Sequence, residues 1–252
     1  MIAILSGLAG VEATITLQRL ASNADLVAWH DQLNHSLQDH LRKERESGFV
    51  PSSIAHVGRA LSNGQPANSA DLRALVCAEL KLIGEKLRRG ATGGYKRFWN
   101  TAVRGKPISP KGEDECRDVL VDHLRIRLGR FGLRVEPEAR YAESKRADIK
   151  ILSTSCAVPI EAKRHMNREL WSAPVEQLSG RYLGDPEAQG HGIYLVFYYG
   201  SGKGIQELPS PPKPLPRPRN AGQLEKTLKV LLPPELHHSL DIVVLDISRS
   251  TR

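Results

Sequence analysis

Asp148 in the run Arg146-Ala147-Asp148-Ile149-Lys150, with Glu161 and Lys163 in Val158-Pro159-Ile160-Glu161-Ala162-Lys163, are the residues whose types and spacing can do chemistry. Both runs read as strands, in which successive side chains alternate faces. Glu161 and Lys163 therefore project together while Ile160 and Ala162 point the other way. Only the short polar stretch Ser153-Thr154-Ser155 and its flanks separate the runs, which is hairpin-sized, so Asp148 lies across an antiparallel pair from Glu161. Two carboxylates converging beside a backbone carbonyl offer hard oxygen ligands to a small divalent cation such as Mg²⁺. A lysine two residues from one of them is placed to orient or deprotonate a bound water and to offset charge growing on a phosphate. Together these groups make a phosphodiester-hydrolysis set. The plain alternative is a solvated strand face carrying ordinary ion pairs.

The elements that must position these residues follow from periodicity. An amphipathic helix over 113–128 places Cys116, Val119, Leu120, Leu124 and Leu128 on one side, and strands follow over 133–141, 147–152 and 158–163. A helix is predicted over 168–182, then a strongly apolar strand over 192–199, a helix near 223–232 and a last strand over 242–247. This alternation predicts an α/β fold around a mixed sheet. Upstream, Leu26, Trp29, Leu33, Leu37 and Leu41 recur at helical spacing behind Ser22, Asn23 and Asp25. The run Asn63-Gly64-Gln65-Pro66 reads as a turn, and Ser69 opens a helix that ends near Gly90. The segment 93–110 reads as a connecting loop that anchors Phe98 and Trp99 on the next domain, so the boundary is predicted between a helical N-terminal region, 1–109, and a second domain, 110–252.

The composition suits a soluble globular chain. In 252 residues, 40% are hydrophobic and 25% charged, which excludes disordered, collagen-like and rod-like classes. The opening apolar stretch is too short and too interrupted to span a bilayer, so no membrane association is expected. Three widely spaced cysteines, Cys77, Cys116 and Cys156, fit buried thiols in a reducing compartment, the cytoplasm. A net charge of +8 favours a polyanionic partner. Within 208–220, six prolines are interleaved with Lys213, Arg217 and Arg219, a polyproline-type spacer that reads as a stiff surface loop, as a PxxP ligand or as a basic strip beside a nucleic acid. Other signals fail. Gly200-Ser201-Gly202-Lys203-Gly204 lacks the spacing of a phosphate loop, and His237-His238 lacks partners at zinc spacing.

The Asp148, spacer, Glu161-x-Lys163 pattern across a hairpin, behind an amphipathic helix with an early Glu, resembles the PD-(D/E)xK superfamily of restriction-endonuclease-like nucleases over about 110–248. The resemblance implies an αβββαβ core in which Asp148 and Glu161 hold Mg²⁺ (or Mn²⁺), the Ala162 carbonyl completes the shell and Lys163 serves the attacking water. It also implies an acidic residue on the first helix, assigned to Glu113, which shares a face with Cys116, Leu120 and Leu124, whereas Glu115 is rotated toward solvent. Exonuclease-like branches carry Gln-x3-Tyr on the following helix. Here Gln177 and Tyr182 are five apart, so only Gln177 carries over, to orient a phosphate or Lys163, against the alternative of a polar helix edge. His165 reads as a second base or as a basic flank of the DNA path. The chain departs from the family's name at Ala147, where a proline is expected. The implied activity is a Mg²⁺-dependent DNA endonuclease, on double-stranded in preference to single-stranded DNA, with room for a homodimer and for a protein partner on the N-terminal helices. Lys163-Arg164-His165, a Leu170-Trp171 helix and the strand from Gly192 are also similar to C-terminal effector nucleases of bacterial defence and NTPase proteins. The alternative is a non-catalytic nucleic-acid-binding or interaction module on the same fold.

Overall fold

The computed structural model describes residues 11–47, 65–90, 93–138, 147–179 and 187–249. The chain divides into two compact units, Met1–Ile54 and Ala55–Arg252. In the first, helix α1 (Val11–Ala21) and helix α2 (His30–Ser47) flank a 3-10 segment, Ala24–Trp29, whose start is capped by the Asn23 side chain. Leu17 and Leu33 are buried between them, and Thr14 Oγ1 meets the buried His40 Nε2 at 2.9 Å. Trp29, predicted on the apolar stripe, is exposed.

In the second unit, α3 (Ser69–Arg89) is followed by β1 (Trp99–Thr101), β2 (Pro107–Pro110), α4 (Glu113–Leu128), β3 (Arg134–Pro137), β4 (Ile149–Leu152), β5 (Ala157–Arg164), β6 (Gly192–Tyr198), α5 (Ala221–Leu231) and β7 (Leu240–Asp246). The five strands β3 to β7 form one mixed sheet in sequence order, antiparallel from β3 through β5 and parallel from β5 through β7. The α/β class and mixed sheet are as the sequence predicts. One face of the sheet, with Ile160, Ala162, Ile193, Leu195 and Phe197, packs on α3 and α4. The other, with Tyr194, Val196 and Ile242, packs on α5 and on Leu170, Ala173 and Leu178. β6 is buried along its whole length, so its apolar run shows no alternation.

Three expectations are corrected. The boundary at 109/110 does not divide the compact units, because Leu72, Val76, Leu80, Ile83 and Leu87 of α3 belong to the sheet's own core. An amphipathic stripe states that a helix buries one face, not which surface receives it. The predicted loop 93–110 contains a two-stranded hairpin, β1 with β2, turned by left-handed backbone at Arg104 and Gly105. Its anchor is as expected: Phe98 and Trp99 are buried, and the Trp99 indole N–H donates to the Ile247 carbonyl at 2.9 Å. In place of the continuous helix predicted over 168–182, the described residues 168–179 form a series of turns and a π-helical segment, Pro174–Ser179. Pro174 lacks an N–H and disfavours helical geometry in the residue before it, so a regular helix cannot run through. Tyr182, Tyr141, Arg146 and the Asn63-Gly64 turn lie outside the described residues. Among the described residues, no helix is long and apolar enough to cross a membrane.

Candidate active site beside strand β5

β4 and β5 separate just where the chemistry-bearing residues begin. Their pairing ends at Ile149 opposite Ile160, so β5 continues past its neighbour for four more residues. Backbone N–H groups along a strand point alternately to its two edges, so those of Ala162 and Arg164 face the gap that β4 has vacated. Buried amides need partners, and two carboxylates supply them. Asp148 Oδ2 accepts from the Ala162 N–H at 2.8 Å, and Glu113 Oε2 accepts from the Arg164 N–H at 2.9 Å. The Ala162 carbonyl shares the edge of its own N–H and so faces the same gap.

Glu161 and Lys163 lie on the sheet face that carries Tyr194 and Val196, their register partners on β6. Both are buried, at 4% and 7% exposure, an unusual position for charged side chains unless paired. Lys163 Nζ donates to Glu161 Oε1 at 2.6 Å and lies 3.5 Å from Glu113 Oε1. The ammonium is the internal counter-ion of the acidic cluster. The second oxygen of Glu161, Oε2, is buried with no hydrogen-bond partner.

The electrostatics show a surplus of negative charge. Burial, then the charge of Asp148, pushes the Glu161 carboxyl from 4.5 up to about 7, despite the attraction of Lys163. Burial also raises Asp148, against the stabilising Ala162 N–H. For Lys163, burial alone would lower the pKa, but Glu161, Asp148 and Glu113 together outweigh it and the net shift is upward. In the site without a cation this lysine therefore holds its proton and donates to Glu161.

Glu113 stands at the first position of α4, on the buried face as the sequence predicts, while Glu115 is exposed and caps the helix by accepting from the Gly112 N–H at 3.0 Å. Acidic residues in a first helical turn also favour the positive end of the helix. The structure thus brings Asp148, Glu161, Lys163, Ala162 and Glu113 together. Gln177 is buried nearby, but its amide donates to Glu169, so it orients that carboxylate and is not bonded to Lys163. His165 is corrected. At 1% exposure, with Nδ1 accepting from the Tyr199 N–H and its pKa lowered by burial to about 4, it is a neutral core residue, neither a base nor a charged flank. Sequence reasoning missed Asn167, whose amide donates to Glu113 Oε2 at 3.2 Å and whose Oδ1 accepts from the Glu169 N–H at 3.0 Å. Its position four residues past Lys163 was the sole signal.

Among the described residues no three His, Cys, Asp or Glu side chains are gathered closely enough to form a metal cage by themselves. A cation held by one or two carboxylates, a carbonyl and retained waters needs no such cage. The orphaned Glu161 Oε2 and the upward shifts of both carboxyls fit a hard divalent cation, which would satisfy the oxygen and neutralise the surplus. Compared with protein-family models, with curated proteins and with solved structures, the chain matches none.

Proposed function

We propose that the sheet domain is a restriction-endonuclease-like, Mg²⁺-dependent deoxyribonuclease that hydrolyses phosphodiester bonds at the gap beside β5. The observation that carries this reading is a buried ammonium held between Glu161 and Glu113, with a Glu161 oxygen left without a partner and Asp148 bonded to the adjacent Ala162 N–H. The order of α4 followed by β3, β4 and β5, then β6 after a π-helical segment, also supports this reading. Asp148, Glu161 and the Ala162 carbonyl would hold Mg²⁺ or Mn²⁺, with Glu113 beside them. When bound, the ion supplies charge neutralisation at the phosphate and a water of lowered pKa. Lys163, protonated and anchored by Glu161, donates to oxygen at the reacting centre, which favours charge developing there. Asn167 and the Arg164 N–H fix the Glu113 carboxylate, and Glu113 in turn steadies the lysine.

A second reading, a non-catalytic nucleic-acid-binding module, is favoured by one observation: Asp148 and Glu113 already accept from backbone N–H groups of β5, which is a structural role. Cleavage of plasmid and linear DNA with Mg²⁺ or with EDTA separates the two. Wild type should cleave only with Mg²⁺, and Asp148→Ala and Glu161→Gln should abolish cleavage while remaining folded by circular dichroism. Equal cleavage by wild type and both variants rejects the site. No cleavage by a wild type that binds DNA selects the second reading.

A further inference from the structure

β5 and β6 end side by side, and past their carboxyl ends the chain builds a concave wall that the site does not use. A cleft of about 490 Å³ is lined by His165, two residues beyond Lys163, by Tyr198 and Gly200 at the end of β6, and by Arg217 and Arg219 of the proline-rich segment. A second, more open groove of about 730 Å³ shares Arg217, Pro218 and Arg219 with it and continues along α5 to Lys226. The two adjoin at these three shared residues, as a channel in two parts. In parallel α/β sheets the crevice beyond the carboxyl ends of the strands is where ligands bind.

This wall is held in place. The Trp171 indole N–H donates to the Pro209 carbonyl at 3.3 Å, and the Arg217 guanidinium donates to the Leu208 carbonyl. The Tyr198 hydroxyl donates to the Arg219 carbonyl at 3.0 Å. Closely spaced prolines restrict the segment further, so little entropy remains to be lost on binding. At the rim, Gly200 turns with φ +78° against Ser248, where a Cβ would come within 3.0 Å.

Residues 200–230 carry six Lys and Arg against two Glu, about half of the chain's net charge of +8. Arg217 pairs with Glu207 and Lys229 with Glu225. Lys203, Lys213, Arg219 and Lys226 are exposed and have no ion pair among the described residues. The aromatic side chains lining the cleft, His165 and Tyr198, are buried, so among the described residues the channel presents no ring on which a base can stack. Unpaired cations on a stiff concave wall without a stacking platform match a sugar-phosphate backbone read by charge alone.

The geometry points to this channel as the track for one DNA backbone leaving the carboxylate centre, a sequence-independent phosphate-binding surface made by Arg219 and Lys226 in its lining and by the exposed Lys203 next in sequence to the lining residue Gly202. The assignment rests on the nucleolytic reading for its direction, not for its chemistry. The test is fluorescence anisotropy with a labelled 20-bp duplex and the matching 20-nucleotide single strand, in EDTA so that substrate stays intact. The variants are Lys203→Gln/Arg219→Gln/Lys226→Gln and a control of equal charge, Lys81→Gln/Lys86→Gln/Arg89→Gln, on α3 across the sheet. Unchanged thermal midpoints show that both triples fold.

The channel triple should lose at least about tenfold in affinity, and its log K against log salt slope should flatten by about 2 to 3, as for three lost phosphate contacts. The control should change little. Whichever DNA form suffers the larger loss is the one the channel holds. Equal losses in the two triples, or no binding of either DNA form by wild type, overturn the proposal. Cleavage by wild type with unimpaired binding by the channel triple also overturns it and leaves the nucleolytic reading standing. Channel-dependent binding without any cleavage does the reverse.

Discussion

Glu161 is the residue where stability and function pull apart. Its carboxyl sits at about 7 in the folded chain against an ordinary 4.5, so between those values the folded state binds more protons than the unfolded one. Stability contributed by the protonated form is present at pH 4.5 and is lost as the pH rises toward 7. Glu161→Gln, a mimic of the neutral form, should therefore match wild type near pH 4.5 and exceed it at pH 8 without divalent cations, by at most about 3 kcal/mol. Thermal melts in EDTA at the two pH values check this, and a pH-independent difference would refute it. On the proposed nucleolytic reading, Lys163 separates catalysis from binding. Lys163→Ala should cut the cleavage rate by on the order of a hundredfold, as for one preorganised donor, while DNA affinity changes by less than about tenfold, the scale of a single phosphate contact. Lys163→Arg should restore binding better than rate, because the planar guanidinium cannot reproduce the compact ammonium between Glu161 and Glu113. Rate and affinity lost in equal proportion would make this lysine a binding residue.

At the scale of elements, the open edge of β5 matters most. A strand that outruns its neighbour exposes N–H groups that must be satisfied, and here the partners are the carboxylates of the site. α4 contributes the acid at its first residue and holds it there through the Cys116, Leu120 and Leu124 face in the core. α3 is the other support. Its Leu80 is fully buried with the sheet residues, so Leu80→Ala should destabilise the sheet domain by about 2 to 5 kcal/mol, the usual range for a buried leucine. A chain beginning at residue 110 should likewise fail to fold, whereas one beginning at residue 55 should give a cooperative melt. Urea denaturation of these three proteins decides it, and a stable 110–252 fragment would place α3 outside the domain.

For the whole molecule, the charge of +8 sets how it meets a polyanion. Released counterions make such binding steep in salt, so affinity for DNA should fall at least about tenfold between low and physiological salt if a few phosphates are contacted. Anisotropy titrations across that range test it, and a flat response would indicate an uncharged or protein partner. Part of the positive charge serves the fold and is not available to DNA. Arg127 and Arg130 both pair with the buried Glu79 of α3, and Arg117 is enclosed by Asp114, Asp118 and Glu138. On the proposed reading, the unpaired cations near the proline-rich wall measure the contact surface better than the net charge does.

The sequence by itself determined the α/β class, the extent of α4, the β4–β5 hairpin and the face shared by Glu161 and Lys163. These depend on local periods of 3.6 and 2 and on turn residues, which act over a few positions. It also marked Glu113 as the acid on the core-facing side of α4, where it is half-buried. Only the tertiary structure decided that α3 belongs to the sheet's core, because an apolar stripe does not name its partner. It replaced the predicted helix with turns and a π-helical segment at Pro174, and it turned His165 inward as a neutral core residue. It decided, too, that Lys163 also meets Glu113 and that Asn167 fixes Glu113, since those contacts join residues up to 54 positions apart. Such pairings are set by strand order and by where β4 stops, and no local pattern encodes them.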